Sequence, residues 1–79
     1  MRLDKFLKVS RIIKRRTIAN QACDQGRVKI NGRVAKAAAE VKVGDVLEIQ
    51  FGDRVMRYQI LQVVESPSKE QVSELYKVI

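Results

Sequence analysis

The stretch Gly26-Arg27-Val28-Lys29-Ile30-Asn31-Gly32-Arg33-Val34 decides the fold that the sequence predicts. Its apolar residues Val28 and Ile30 alternate with charged ones, which is the two-residue period of a half-buried β-strand. Asn31-Gly32 then supplies two residues that readily adopt positive φ angles, as a tight hairpin turn requires. We therefore expect an antiparallel hairpin here, and its outward-pointing side chains are expected to be basic: Arg27, Lys29 and Arg33.

Two short helices are predicted before this hairpin. Leu3, Phe6 and Leu7 have the spacing of one helix face, which predicts a helix over residues 3 to about 13. Asp4 lies near the start of that helix, four residues before Lys8, the favourable order for a helical ion pair. Thr17 is the expected N-cap of a second helix over residues 18–25, which Gly26 would terminate. The inward side chains of the second helix are expected to be Ile18, Ala19, Ala22 and Cys23.

Residues after the hairpin are expected to complete a small sheet. Residues 35–39 are mostly alanine but lie between two turns, so we expect an irregular connection. Alternating apolar residues predict a strand over 46–51, and Gly52-Asp53 predicts the turn into a return strand. The return strand is expected to point Met56, Tyr58 and Ile60 inward. Its apolar alternation shifts to Leu61 and Val63, which suggests a bulge or a twist near residue 60.

The C-terminal segment predicts a third helix. Ser68 and Gln71 have capping-box spacing, and they precede an apolar stripe with helical period: Val72, Leu75, Tyr76 and Ile79. The predicted elements together give an α+β fold class, with two N-terminal helices packed on a small antiparallel sheet plus a short C-terminal helix.

Residues 1–79 contain no linker or repeat and are expected to form one domain.

Positive charge is concentrated in the first half of the chain. The 79 residues hold 16 Lys and Arg against 9 Asp and Glu, with no His, for a formal charge of +7. Residues 1–36 contain eleven basic and two acidic residues (+9), whereas residues 37–79 contain five basic and seven acidic residues (−2). Such separation indicates a polyanionic partner, most simply a nucleic acid, with an anionic membrane surface or an acidic protein surface as the alternatives.

Nothing in the sequence supports catalysis. Without His, soft-metal sites lack ligands, and the only cysteine, Cys23, lies on an apolar helix face without a base. None of the four glycines belongs to a phosphate-binding loop with a following Lys-Ser/Thr. No enzyme activity, metal or cofactor is therefore expected.

Because no signal segment follows Met1 and no apolar run is membrane-length, we expect a cytoplasmic protein that does not contact membranes.

The strongest basic cluster is our first choice of RNA site: Arg11, Lys14, Arg15 and Arg16. A charge run can simply be a solvated face, but its continuation onto the hairpin favours a binding function. A DNA-reading helix-turn-helix is the nearest alternative, with base contacts from the polar side chains of the second helix. It fits poorly, because the basic residues flank that helix. The aromatic residues lie on apolar stripes and are expected to fill the core.

Together these motifs resemble the αL-type RNA-binding domain first recognised in a small-subunit ribosomal protein. The resemblance covers residues 1–51 and is carried by these segments: 2–7, Arg11, 14–16, Ala19, 26–34 and 43–47. It implies that the two helices, the loop between them and the first hairpin bind ribosomal RNA. Among stand-alone members, the chain is most similar to the RqcP family, which is related to the heat-shock protein fifteen family.

This resemblance implies a role in ribosome-associated quality control. The protein would bind obstructed large ribosomal subunits, contact rRNA and peptidyl-tRNA, and be a monomer off the ribosome. With RqcH it would support untemplated alanine tailing, by holding or moving peptidyl-tRNA into the P site. Generic ribosome-associated or rRNA-biogenesis binding is the alternative. Arg2 and Arg16 rank highest among the implied RNA-binding residues, which are Arg2, Lys5, Lys8, Arg11, Lys14, Arg15, Arg16, Arg27, Lys29 and Arg33.

Overall fold

The computed structural model describes residues 1–79 as two α-helices and a five-stranded sheet. The elements are α1 (Leu3–Val9), α2 (Arg16–Asp24), β1 (Val28–Ile30), β2 (Arg33–Val34), β3 (Val46–Phe51), β4 (Arg54–Ile60), a 3-10 turn (Val72–Glu74) and β5 (Tyr76–Val78). The strand order is β2-β1-β3-β4-β5, and all neighbouring strands are antiparallel. The predicted arrangement of two N-terminal helices on a small antiparallel sheet is confirmed.

The predicted β1–β2 hairpin is also confirmed. Asn31 (φ 51°) and Gly32 (φ 86°) both adopt the left-handed conformation that a two-residue turn needs. The Asn31 side chain also donates to the carboxylate of Asp45 (3.0 Å) and accepts from the backbone N–H of Val46 (2.9 Å). The turn is thereby fixed to the start of β3.

The alanine-rich segment forms an irregular connection, as predicted, and it caps α1. Leu3 N–H donates to the carbonyl of Ala39 (2.8 Å), and Asp4 N–H donates to that of Ala37 (3.2 Å). The first backbone donors of a helix have no partner within it, so these carbonyls replace a side-chain cap. Irregular backbone at this position therefore stabilises the start of α1.

Helix α1 ends at Val9, so the predicted extension to residue 13 is wrong. The C-cap residue Ser10 is fully buried, and its hydroxyl donates to the carbonyl of Leu7 (3.2 Å). Arg11 then adopts a left-handed conformation (φ 62°), which turns the chain out of the helical path. Ile12 and Ile13 pack against the core from the loop that follows.

Helix α2 begins at Arg16 with Arg15 as its N-cap, so Thr17 is not the cap. Ile18 is 44% exposed and does not point inward as expected. The other inward predictions hold, because Ala19, Ala22 and Cys23 are buried. Gly26 (φ 74°) ends the helix as predicted, with two bonds of a Schellman motif: Gly26 N–H to Cys23 O and Arg27 N–H to Ala22 O, both 3.0 Å.

Strand β4 shows no bulge near residue 60. It pairs with β3 in unbroken register from Arg54 to Gln59 and ends at Ile60. The slip in apolar alternation therefore marks the end of the strand. Tyr58 and Ile60 are buried and Met56 is half-buried, as expected.

The predicted C-terminal helix is wrong. Its capping box does form, since Ser68 N–H donates to Gln71 Oε1 (2.9 Å) and Gln71 N–H donates to Ser68 Oγ (3.3 Å). Only one 3-10 turn follows, and β5 then pairs with β4. An isolated helix of this length is marginal, whereas β5 satisfies the open edge of β4 and buries Leu75 completely.

The core lies between the two helices and one face of the sheet. It contains fourteen buried apolar residues, among them Leu7 on α1, Cys23 on α2 and Leu47 on β3. Phe6 and Tyr58 are buried, and Tyr76 packs edge to face on Tyr58 with ring centroids 5.2 Å apart, which confirms the core role of these three aromatic residues. Phe51 is 38% exposed, so the expectation that it fills the core is wrong. Burial, with added effects from the charges of Asp4 and Asp24, raises the pKa of the Cys23 thiol to about 11. That thiol stays protonated at neutral pH.

Candidate RNA-binding surface

A buried carboxylate holds two arginines at the junction of the helices. The side chain of Asp4 is 3% exposed. It accepts two hydrogen bonds from Arg2, from Nε to Oδ1 and from Nη2 to Oδ2, both 3.2 Å. It also accepts from Arg16 Nη2 (3.4 Å), Asn20 Nδ2 (3.3 Å) and the backbone N–H of Lys5 (2.8 Å). We call these four side chains the Asp4 cluster: Arg2, Asp4, Arg16 and Asn20.

The Asp4 cluster orients its arginines without burying them. The side chains of Arg2 and Arg16 remain 50% and 46% exposed. A guanidinium has five N–H donors in a rigid fork, so each arginine keeps donors for an external phosphate. Because Asp4 already restricts their rotamers, less conformational entropy is lost on binding. The helical pair predicted between Asp4 and Lys8 does not form.

The pKa of Asp4 lies below its usual value of 3.8. Burial, the largest single effect, would raise that pKa. The hydrogen bonds from Asn20, Arg16 and Arg2, together with the charge of Arg16, outweigh burial. Asp4 is therefore ionised at neutral pH and offsets part of the repulsion between the two guanidinium groups.

A second group of cations lines an open cleft of about 600 Å³ between the two ends of the chain. Lys8, Arg11 and Lys14 line this cationic cleft together with Val9 and with four residues of the segment 65–72: Glu65, Ser66, Pro67 and Val72. The six ion pairs of the structure include none of these three cations. Their charges are therefore available to an external anion. Asp4 and Lys8 are four residues apart on α1, which places the cleft about 6 Å along the helix from the Asp4 cluster.

Glu65, the carboxylate on the cleft wall, is paired with Lys5. The hydrogen bond from Lys5, followed by its charge, lowers the pKa of Glu65. This pair ties α1 to the segment 65–72 and compensates the acidic charge beside the cleft. Lys5 is therefore engaged within the protein.

Arg11 lines the cleft from a strained backbone position. Its φ angle of 62° follows the end of α1, where glycine is the usual residue. A side chain in this left-handed region costs about 1–2 kcal/mol. Strain of this kind concentrates at functional sites.

The remaining candidates do not share one face. In the sheet, Lys29 pairs in register with Glu48, and its Nζ lies 3.6 Å from that carboxylate. Arg57 contacts the same carboxylate at 3.1 Å, so this trio occupies the sheet face opposite the helices. Arg33 pairs with Ile30 and lies on the other face. The expectation that the hairpin cations all point outward together is wrong, because side chains alternate between faces along a strand.

Arg27 and Arg15 complete the set. Arg27 is half-buried, and its Nε is buried without a hydrogen-bond partner. Arg15 is exposed at the start of α2. The structure thus brings Arg2 and Arg16 together around Asp4. It gathers Lys8, Arg11 and Lys14 around the cleft and places Lys29 elsewhere.

Three features of this surface were not predicted from the sequence. They are the positioning role of Asp4, the bond from Asn20 to Asp4, and the contribution of segment 65–72 to the cleft. Arg16 and Asn20 have i, i+4 spacing on α2, which could have indicated a shared partner. Since Asn20 is bound to Asp4, its amide is less suited to the base-reading role of a DNA-binding helix.

No helix of the structure combines the length and the apolar character needed to cross a bilayer. Nor does the structure group three His, Cys, Asp or Glu side chains so that they could hold a metal ion.

Comparison with known proteins identifies the family. A family model described as the S4 domain matches residues 1–47. The chain is 56% identical to the RQC P-site tRNA stabilizing factor of Halalkalibacterium halodurans, over 99% of this chain and 89% of the relative. It is 48% identical to the protein of that name from Bacillus subtilis, over 100% of this chain and 92% of the relative.

The fold is likewise that of a solved relative. Heat Shock Protein 15 of Vibrio cholerae superimposes with a TM-score of 0.90 at 26% identity, covering 100% of this chain and 81% of the other. Its similarity extends through the C-terminal strand, beyond the S4 match. The chain therefore belongs to the S4 domain family and, within it, to the RqcP family of RQC P-site tRNA stabilizing factors.

Proposed function

We propose that this protein is a non-enzymatic, single-domain RNA-binding factor of ribosome-associated quality control. It binds obstructed large ribosomal subunits in the cytoplasm and contacts both rRNA and peptidyl-tRNA. The observation that carries the proposal is the Asp4 cluster, which presents two oriented, half-exposed arginines beside a cleft with three further cations. Two relatives that this chain matches over about nine-tenths of their length, 89% and 92%, are named RQC P-site tRNA stabilizing factor.

A bridging role follows from the charge of the protein. rRNA and tRNA are both polyanions and repel each other, so a compact body of charge +7 between them lowers that repulsion. Arg2 and Arg16 can each fork onto a phosphate, and the cationic cleft offers a second contact about one helical turn away. In this way the protein holds peptidyl-tRNA or guides it into the P site. With RqcH it supports untemplated alanine tailing, while peptide-bond chemistry belongs to the ribosome.

A generic ribosome-associated or rRNA-biogenesis factor would bind large subunits regardless of their tRNA. Co-sedimentation separates these functions. Tagged protein is incubated with purified large subunits that either carry peptidyl-tRNA or are empty. We expect preferential sedimentation with the peptidyl-tRNA complex, and equal sedimentation with both would contradict the proposal.

Replacing Arg16 with alanine is expected to weaken subunit binding about tenfold, since a charge-assisted contact to phosphate is lost. Binding is measured by the same sedimentation assay across a range of subunit concentrations. The matched control is Arg54→Ala, which removes an exposed arginine at the start of β4, outside the Asp4 cluster and the cleft lining. Equal effects of the two variants would contradict the assignment of Arg16. Arg54→Ala should change thermal unfolding little, because Arg54 is exposed. Arg16→Ala should remain folded but lose some stability, because it removes one donor to the buried Asp4 carboxylate.

Binding should also depend strongly on salt. If about six phosphates are engaged on a structured RNA, the log-log slope of affinity against salt concentration should be roughly −4 to −5. Fluorescence anisotropy with a labelled rRNA stem-loop at several KCl concentrations measures this slope. A flat response would show that the cationic groups do not provide the affinity.

The variant Arg11→Gly should separate stability from binding. Glycine removes the left-handed strain, so we expect the free energy of unfolding to rise by about 1 kcal/mol. The same change removes a guanidinium from the cleft and should weaken RNA binding several-fold. Urea unfolding and RNA titration of one preparation test both effects. Lower stability together with unchanged affinity would contradict this assignment.

A further inference from the structure

The lining of the cationic cleft is mixed in chemistry. Lys8, Arg11 and Lys14 line it without an acidic partner. The half-buried apolar side chains of Val9, Pro67 and Val72 line it as well. A surface that only gathered backbone phosphates would need no apolar lining. The cleft therefore suits a ligand with one anionic and one apolar part.

The size of the cleft narrows the ligand class. Its volume of about 600 Å³ lies within the range of sites that enclose small organic ligands. A phosphate group alone would leave most of this space empty, whereas a nucleotide adds a ribose and a flat base. In a continuous duplex the bases are stacked and their flat faces are inaccessible, so an unpaired nucleotide fits the chemistry better.

Two further features bear on what the cleft can bind. The surface ion pair between Lys5 and Glu65 joins α1 to the segment 65–72. Arg11 reaches the cleft from its strained backbone position, and its planar guanidinium can both bind a phosphate and stack on a base. No aromatic side chain lines the cleft, so stacking there depends on Arg11.

We propose that the cationic cleft binds one extruded, unpaired nucleotide of a structured RNA. Its phosphates lie against Lys8, Arg11 and Lys14, and its base packs between the Arg11 guanidinium and the apolar side chains of Pro67 and Val72. This inference rests on the proposed RNA-binding function. It adds that the C-terminal segment, which lies outside the S4 match, helps to select the RNA.

The test compares two labelled RNA stem-loops that differ only by one unpaired nucleotide in the stem. Fluorescence anisotropy should show that the wild-type protein prefers the bulged RNA about five- to tenfold. Val72→Trp fills the cleft and should reduce this preference to less than about twofold, while affinity for the paired stem-loop stays within about twofold. The matched control Val43→Trp alters a residue 63% exposed near β3 and should retain the preference.

Circular dichroism reports whether Val72→Trp is folded, and Ser66→Trp, at an exposed position on the same cleft, provides a second filling variant. Wild-type binding without preference for the bulge would overturn the inference and leave the proposed function standing. Failure to bind either RNA would instead contradict the proposed function. Equal loss of affinity for both RNAs in the filled variants would also overturn the inference. Displacement of the bulged RNA by millimolar adenosine monophosphate would assign the cleft to free nucleotides and not to RNA.

Discussion

Replacing Leu7 with alanine is expected to lower the free energy of unfolding by about 2–5 kcal/mol. Leu7 is fully buried in the core cluster that joins α1 to α2 and the sheet. Truncation removes its apolar contacts and leaves a cavity that the short helix can fill only in part. A domain of 79 residues has a total stability of about 4–12 kcal/mol, so this one change removes a large fraction of it. Urea unfolding followed by circular dichroism measures the loss.

The neighbouring variant Lys8→Ala is the control, because Lys8 is exposed on the same helix. We expect it to change stability by less than about 0.5 kcal/mol. Leu7→Ala that is still folded at low temperature should bind RNA close to the wild-type level, since Leu7 does not reach the surface. If Leu7→Ala had the same urea midpoint of unfolding as the wild type, the orientation of α1 against the core would be wrong.

Local sequence signals predicted the parts of the fold that depend on nearby residues. The β1–β2 hairpin is one example, because the two turn residues Asn31 and Gly32 themselves allow the required φ angles. The end of α2 at Gly26 is another, since its capping bonds involve only adjacent turns of the chain. Both features were predicted at the correct residues.

The C-terminal segment shows where such signals fail. Its capping box forms as predicted, yet the chain continues as a strand because β4 offers an unpaired edge. The pairing of Tyr58 with Val78 joins residues far apart in sequence, so local periodicity cannot reveal it. The apolar residues identified there were correct as core candidates only in part: Leu75 is buried, whereas Ile79 is exposed.

The candidate site was predictable to a similar degree. Family resemblance and their expected positions at the ends of the two helices selected Arg2 and Arg16, and the structure places both on one carboxylate. The packing of α1 against α2 brings these residues together, and no spacing rule within either helix specifies that contact. Lys29 was placed with them because strand register was unknown, and its pairing with Glu48 became visible only in the folded sheet.

Replacing Asp4 with asparagine should weaken RNA binding even though it raises the net positive charge by one. Asparagine has nearly the same shape but no charge, so Arg2 and Arg16 lose the ionised acceptor that orients them. We expect affinity for an rRNA stem-loop to fall about three- to tenfold, because the arginines must then be ordered during binding. Anisotropy titration at fixed salt measures this change.

Asp24→Asn is the matched control, since it removes the same charge from an exposed position on α2. It should leave RNA affinity unchanged or slightly higher, as general electrostatics requires. Opposite effects of the two substitutions would show that orientation outweighs net charge. If both raised affinity equally, Asp4 would act only as a competing anion, and the positioning role would be wrong.

The same substitution should alter stability in a pH-dependent way. Hydrogen bonds to a charged group are worth about 1.5–3 kcal/mol, so Asp4→Asn should be less stable than wild type by about that amount at pH 7. The pKa of Asp4 is lower in the folded protein than its ordinary value of 3.8, so its contribution is present above about pH 4. That contribution is lost as pH falls through the lowered pKa of the folded state.

The wild type should therefore lose its greater stability over Asp4→Asn in acid, as thermal unfolding of both proteins between pH 7 and pH 2 would show. A stability difference that did not change with pH would mean that Asp4 is not held in its ionised form by Arg2, Arg16 and Asn20.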